Sequence, residues 1–229
     1  MDHRIPGTEQ PPGTSTLPAE LDNSNVIFSY GSLLDHDKLR ELLPTRGAFE
    51  IFETVSLAEA VRLTKRFSRD IIILKNVRLE GVRVSLVTET ILRRWYRTRG
   101  GDLAGLIDAG IAAPEVSPAV FLFGRCAQQG ERGRFLNGGL ICNLTTDEVS
   151  FLDKYEWAPV LERVAVPRIV IDGRMYFPQK MTFYAGSEDP GDLEPEEKAE
   201  RSRFLDLHRQ PGRISPQARW PPDVRRSFD

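Results

Sequence analysis

The dipeptide Asp172-Gly173 restricts the fold more than any other feature of the chain. It follows Val164-Ala165-Val166 and Ile169-Val170-Ile171 and precedes Met175-Tyr176-Phe177. Asp-Gly adopts positive φ at both positions at little cost, which suits the two-residue turn whose twist matches its flanking strands. An antiparallel hairpin is therefore expected here, with Thr182-Phe183-Tyr184 as a further strand. Other β-branched or aromatic runs are Val26–Phe28, Ile71–Leu74, residues 78–88, Ala119–Gly124 and Gly139–Cys142. Helical spacing marks 56–67 and 146–156, and also Glu194–His208 with Pro195 in its first turn. Strands outnumber helices, and the clearest pair is a hairpin, so the class is α+β.

With 229 residues the chain buries a real core, and one domain over 25–209 is expected. Residues 1–24, rich in Pro, Gly, Thr and Ser, read as a disordered tail, and 210–229 as a Pro/Arg-rich tail. A formal net charge of -2 supplies no global field for nucleic acid or an anionic membrane. No run approaches a membrane span, and the start lacks the basic and apolar regions of a signal peptide, so a cytoplasmic location is expected. The glycosylation pattern Asn143-Leu144-Thr145 then reads as a chance match. Cys126 and Cys142 read as reduced, partly buried thiols, and His3, His36 and His208 lack the partners of a metal site. No Gly-x-Ser-x-Gly elbow, phosphate loop or dinucleotide-binding glycine motif occurs, so neither cofactor nor metal is expected. The basic block Arg93–Gly101 reads as a solvated edge or loop, with a clamp for a carboxylate or phosphate as its functional alternative.

Two segments carry chemistry. In the first, Val26-Ile27-Phe28 is interrupted by Tyr30-Gly31-Ser32 and followed by Asp35–Leu43, whose leucines at 39, 42 and 43 have helical spacing. Strand, glycine turn and helix in so short a space place free N–H groups at a helix N-terminus, where an anion can rest. The second runs from Asn143 to Glu156, with a capping box of Thr145 and Glu148. Its inward stripe is Val149, Leu152 and then Glu156, while Asp153 and Lys154 fall on the outward side. An acid on an apolar stripe loses hydration, and at a helix C-terminus the dipole also disfavours its charge, so both effects raise its pKa. A carboxyl poised near neutrality suits general acid–base work. The alternative is that Glu156, in the last turn, swings to solvent or pairs with an arginine such as Arg163.

Together, Phe28–Leu33 (FSYGSL) and Leu152–Glu156 (LDKYE) resemble two segments of the γ-glutamylcyclotransferase-like family, which includes AIG2-like and ChaC-like proteins. The comparable region runs from about Val26 to Tyr184, though only these two blocks are specific. The resemblance implies a small mixed β-barrel with surrounding helices. It implies a pocket formed by Tyr30, Gly31, Ser32 and Leu33, and Glu156 as the catalytic acid/base. The implied reaction is cyclisation of a γ-glutamyl amine or peptide to 5-oxoproline with release of the amine. Two departures stand out. Trp157 occupies the place of a usual Gly, and Leu161-Glu162-Arg163 replaces a segment that usually carries a Tyr. Tyr184 or Tyr155 would then supply the missing hydroxyl. A small γ-glutamyl compound is the expected partner, with no nucleic acid and no membrane. Two other readings stay open: a catalytically silent module of the same fold that binds a small anion or partner, and an enzyme that hydrolyses γ-glutamyl links.

Overall fold

The computed structural model describes residues 16–53, 56–116, 120–128, 133–158 and 160–186, with positions 195 and 199. Of the helix expected over Glu194–His208 only positions 195 and 199, both helical, are described; its other residues, the tail from 210 and residues 1–15 lie outside this set. Within it the architecture is mixed α+β, one curled half-barrel sheet with several helices against it. The strands are β1 (Ile27–Ser29), β2 (Phe49–Phe52), β3 (Ile71–Thr88), β4 (Val120–Cys126), β5 (Arg134–Cys142), β6 (Leu161–Ala165), β7 (Arg168–Ile171), β8 (Arg174–Tyr176) and β9 (Thr182–Gly186). They are ordered β6-β9-β1-β5-β3-β7-β8, and β2 and β4 both pair with β3. The helices are α1 (His36–Leu42), α2 (Leu57–Arg66), α3 (Glu89–Thr98), α4 (Leu103–Asp108) and α5 (Thr146–Tyr155).

The hairpin forms as the sequence requires: β7 and β8 pair antiparallel around Asp172 (φ 50) and Gly173 (φ 72). Ile71–Leu74 and 78–88, read from sequence as two strands, are one. Register shifts at Lys75/Val77 and at Glu80/Val82 carry the ladder past Asn76 (φ 61) and Gly81 (φ 77). Such bulges bend a strand without ending it. This lets β3 pair with β2 at one end and with β4 and β7 at the other.

The uninterrupted apolar runs are explained by burial on both sheet faces. Val26 and Phe28 join one cluster with Leu63 of α2, Leu140 and Phe183. Ile27 joins the other, with Leu33, Leu39, Ile141, Val149 and Leu152. A third cluster, built on Trp95 and Tyr96 of α3, includes Trp157 and Val160.

Two expectations need correction. Residues 16–24 are part of the fold rather than of a loose tail. Leu17 and Leu21 are buried, and the Asp22 carboxylate accepts from the N–H groups of Gln179, Lys180 and Met181 at 2.7–3.2 Å. That carboxylate orders the approach to β9, so Asp22→Ala is expected to cost about 1–2 kcal/mol, read from urea unfolding. The basic block is likewise no solvated loop, because its first residues lie in α3 with Arg93, Trp95 and Tyr96 buried. Arg93 is paired with Glu89 one turn earlier and donates to the carbonyls of Ala113 (2.6 Å) and Glu115 (3.0 Å). Its guanidinium ties a loop in place, so the clamp reading loses this residue.

Candidate functional site

β1 ends at Ser29, between β5 and β9, and delivers Tyr30 to the edge of the first cluster. A short 3-10 turn (Ser32–Leu34) then precedes α1. This differs from the simple strand–turn–helix read in the sequence. The first N–H groups of α1 are capped, because Asp35 accepts from Asp37 N and Lys38 N. The open donors belong to the 3-10 turn instead: Ser32 and Leu33 precede its first internal bond, which Leu34 N makes to Gly31 O. Among the described residues no acceptor engages those two N–H groups. Leu33 is buried and anchors the turn.

Gly31 has φ -129, outside the left-handed region that favours glycine. A Cβ built there meets no atom within 4 Å. The space over the Gly31 backbone is therefore open to a ligand.

Across from the turn lies the end of α5. The capping box is present as expected, with Thr145 accepting from Glu148 N and Glu148 from Thr145 N. The other end is a Schellman motif: Trp157 N bonds Lys154 O and Ala158 N bonds Asp153 O. This makes Glu156 the C-cap and puts Trp157 at the left-handed position, with φ 61. That conformation favours glycine, the residue the resembling family usually carries there. Here a tryptophan takes it and is held by burial. Its ring meets Tyr96 edge-on at 5.6 Å, within the third cluster. Trp157 thus belongs to the core, and Leu161 packs against it partly buried.

Glu156 as a residue keeps some exposure, but its carboxyl is enclosed, and burial pushes its pKa up to about 7. Among the described residues nothing donates to that carboxyl. Three phenols lie within electrostatic reach of it, Tyr30, Tyr155 and Tyr184. Their hydroxyls are engaged elsewhere. Tyr30 donates to Tyr184 O at 2.8 Å and accepts from Gly124 N at 3.2 Å. Tyr155 shares a hydrogen bond with Ser32 Oγ at 3.2 Å. Tyr184 donates to Asp153 Oδ1 at 2.9 Å. Burial raises all three phenols above their ordinary value, so they stay protonated at physiological pH.

Tyr30, Ser32, Tyr155, Glu156 and Tyr184 are thereby gathered into one connected site. The Ser32–Tyr155 bond joins the turn directly to the helix that carries Glu156. Arg163, considered from sequence as a partner for Glu156, pairs instead with Asp153, at 2.7 and 3.2 Å. Asp153 is consequently half-buried and engaged, not on a free outward face as its helical position suggested. Lys38 lies over the Tyr155 ring, 5.8 Å from its centroid, and brings one cation to the rim. Among the described residues no group of three His, Cys, Asp or Glu is placed to hold a metal. Cys142 is buried, its thiol pushed up to about 12 by burial, and Cys126 is partly buried. No described helix is long and apolar enough to cross a membrane.

No family model matches the chain, and no curated protein matches it. The solution structure of an Arabidopsis thaliana protein is similar at 15% identity over 80% of this chain and 87% of that one, with a TM-score of 0.38.

Proposed function

We propose that the chain is a γ-glutamyl cyclotransferase with Glu156 as its general acid/base, on a fold of the γ-glutamylcyclotransferase-like kind. The observation that carries this reading is the enclosed Glu156 carboxyl, without a donor and raised to about 7, on a helix end that the Tyr155–Ser32 hydrogen bond ties to a turn with open N–H groups. In this reading the substrate's own α-amine attacks its γ-carbonyl, so neither a protein nucleophile nor a metal is needed. The α-amine reaches the site mostly as the ammonium, and Glu156 takes a proton from it. The new bond joins the α-nitrogen to the γ-carbonyl carbon. The bond from that carbon to the departing nitrogen then breaks as Glu156 returns the proton, and the second proton that the α-nitrogen loses passes to the released amine, which leaves as its ammonium. The products are 5-oxoproline and the free amine. The N–H groups of Ser32 and Leu33 would hold the substrate carboxylate or the developing oxyanion, which is the role that preorganised donors fill best. Holding the flexible glutamyl chain in its cyclising shape contributes several kcal/mol more, up to roughly 7–11 in the best-oriented systems. The reading keeps a small γ-glutamyl compound as partner and a cytoplasmic setting.

The test is a panel of γ-glutamyl peptides and amines given to purified protein, with 5-oxoproline measured by mass spectrometry. Release from at least one member is expected. If none yields 5-oxoproline, a silent binding module of the same fold takes its place. Free glutamate in place of 5-oxoproline would point to hydrolysis.

Gly31 supplies a second check. In Gly31→Ala the methyl enters open space, so stability should change by no more than about 0.5 kcal/mol. The same methyl occupies ligand space, and 5-oxoproline release should fall at least tenfold. Thermal melting and the mass-spectrometric assay read the two effects separately.

A further inference from the structure

Asp153 sits one turn before Glu156 on α5 and receives two groups from the neighbouring sheet. Arg163 on β6 and Tyr184 on β9 are register partners, so one pair of strands presents both side chains to the helix end. Arg163 grips the Asp153 carboxylate through Nε at 2.7 Å and a terminal nitrogen at 3.2 Å, and Tyr184 donates to the same Oδ1 at 2.9 Å. The charges of Asp153, Glu156 and Arg163 all act on the one Tyr184 phenol, so the four groups share one neighbourhood. In that neighbourhood Arg163 is a cation that a second carboxylate would attract. A desolvated carboxylate gains far more from such a partner than an exposed one does.

We propose that Asp153 is a positioning residue for Glu156: by capturing Arg163 and the Tyr184 hydroxyl, it keeps both away from the Glu156 carboxyl. Glu156 is left facing groups that do not neutralise its charge. These are the Tyr30 phenol from the turn after β1, the Tyr155 phenol on its own helix, the Tyr184 phenol from β9, and the mutually neutralised Asp153–Arg163 pair. Lys38 and Glu41 on α1 act on Tyr155 and are paired with each other. The arrangement deepens the acid/base assignment, and its catalytic meaning rests on the cyclotransferase reading.

Asp153→Asn separates the two captured groups. The amide oxygen still accepts from Tyr184, but Arg163 loses its counter-charge and turns to the next carboxylate. The readout is the titration of the Glu156 side-chain carboxyl by carbon-detected NMR without substrate, assigned by its absence in Glu156→Gln. Native protein should titrate near 7, and Asp153→Asn should bring the midpoint down by a unit or more. Adding Arg163→Met to Asp153→Asn should restore the native midpoint, which a general loosening of the helix end would not do. An unchanged midpoint in Asp153→Asn, or no restoration in the double variant, overturns the proposal. Should Asp153→Asn fail to fold by thermal melting, Arg163→Met alone is measured. Its midpoint should rise, because Asp153 then faces Glu156 without a counter-ion, and a fall or no change overturns the proposal. The titration needs no substrate, so failure of the γ-glutamyl panel together with a shifted midpoint removes the cyclotransferase reading and leaves this inference standing.

Discussion

Glu156→Gln should remove 5-oxoproline release while making the protein more stable above neutral pH. The loss of activity follows from the role proposed for the carboxyl: an amide of the same shape cannot carry a proton from the α-amine to the leaving nitrogen. General acid–base groups contribute about 10²–10⁴-fold, and a fall of that size is expected in the mass-spectrometric assay. The gain in stability follows from burial. Because the folded pKa lies near 7, above the ordinary 4.5, the folded state holds its proton more tightly than the unfolded state between those values. Stability is therefore full below about pH 4.5 and falls as pH rises towards 7, the reverse of a salt-bridged carboxylate. The total is on the order of 3–4 kcal/mol, from about 1.4 kcal/mol per unit. Glutamine removes that dependence, so urea midpoints of the two proteins should diverge with rising pH and level off above 7. A variant that loses activity and also loses stability at pH 8 would mean that Glu156 is held by contacts rather than poised in their absence.

Where local rules act alone, the sequence and the structure agree. The Asp172-Gly173 hairpin, the Thr145/Glu148 capping box and the position of Glu156 at the end of α5 depend on neighbours a few residues away. The partners of Asp153 do not. Helical spacing alone puts Asp153 outward, and only the arrival of β6 and β9 gives it Arg163 and Tyr184. The basic block departs from its expected loop for a different reason, since its helical signal lies in the sequence. Glu89 and Arg93 have the i,i+4 order that stabilises a helix, and Ile91, Leu92, Trp95 and Tyr96 form its buried stripe. Counting charges hid both. β2 and α4, of four and six residues, were not anticipated from sequence at all. Both are too short for periodicity to stand out, and pairing with Ile71–Leu74 is what makes β2 a strand.

Gly138→Ala is expected to be the most damaging single substitution in the sheet. A Cβ at this position would lie 2.2 Å from Ser29 O and 2.7 Å from the Phe28 ring. The carbonyl is backbone and cannot swing aside, and the ring is fully buried. Either β5 separates from β1 or the segment from Phe28 to Ser29 moves as a unit. Overpacking a core costs about 1–3 kcal/mol when side chains can adjust. With backbone as the obstacle, the cost belongs at or above the upper end of that range. Gly139 beside it is confined in the same way by Leu74 O at 2.7 Å, so β5 has no slack on its other side. The consequence reaches the site, because Ser29 is the last residue of β1 and Tyr30 follows it. If Gly138→Ala folds at all, a displaced β1 carries the Tyr30 hydroxyl off Tyr184 O and Gly124 N, and the Ser32 contact with Tyr155 goes with it. Thermal melting should then show a drop of many degrees, and the Leu34 amide, bonded to Gly31 O, should lose hydrogen-exchange protection together with β1. A near-native melting temperature would mean that the close approach of β5 to β1 is not what fixes the turn, and that Leu33 alone anchors it.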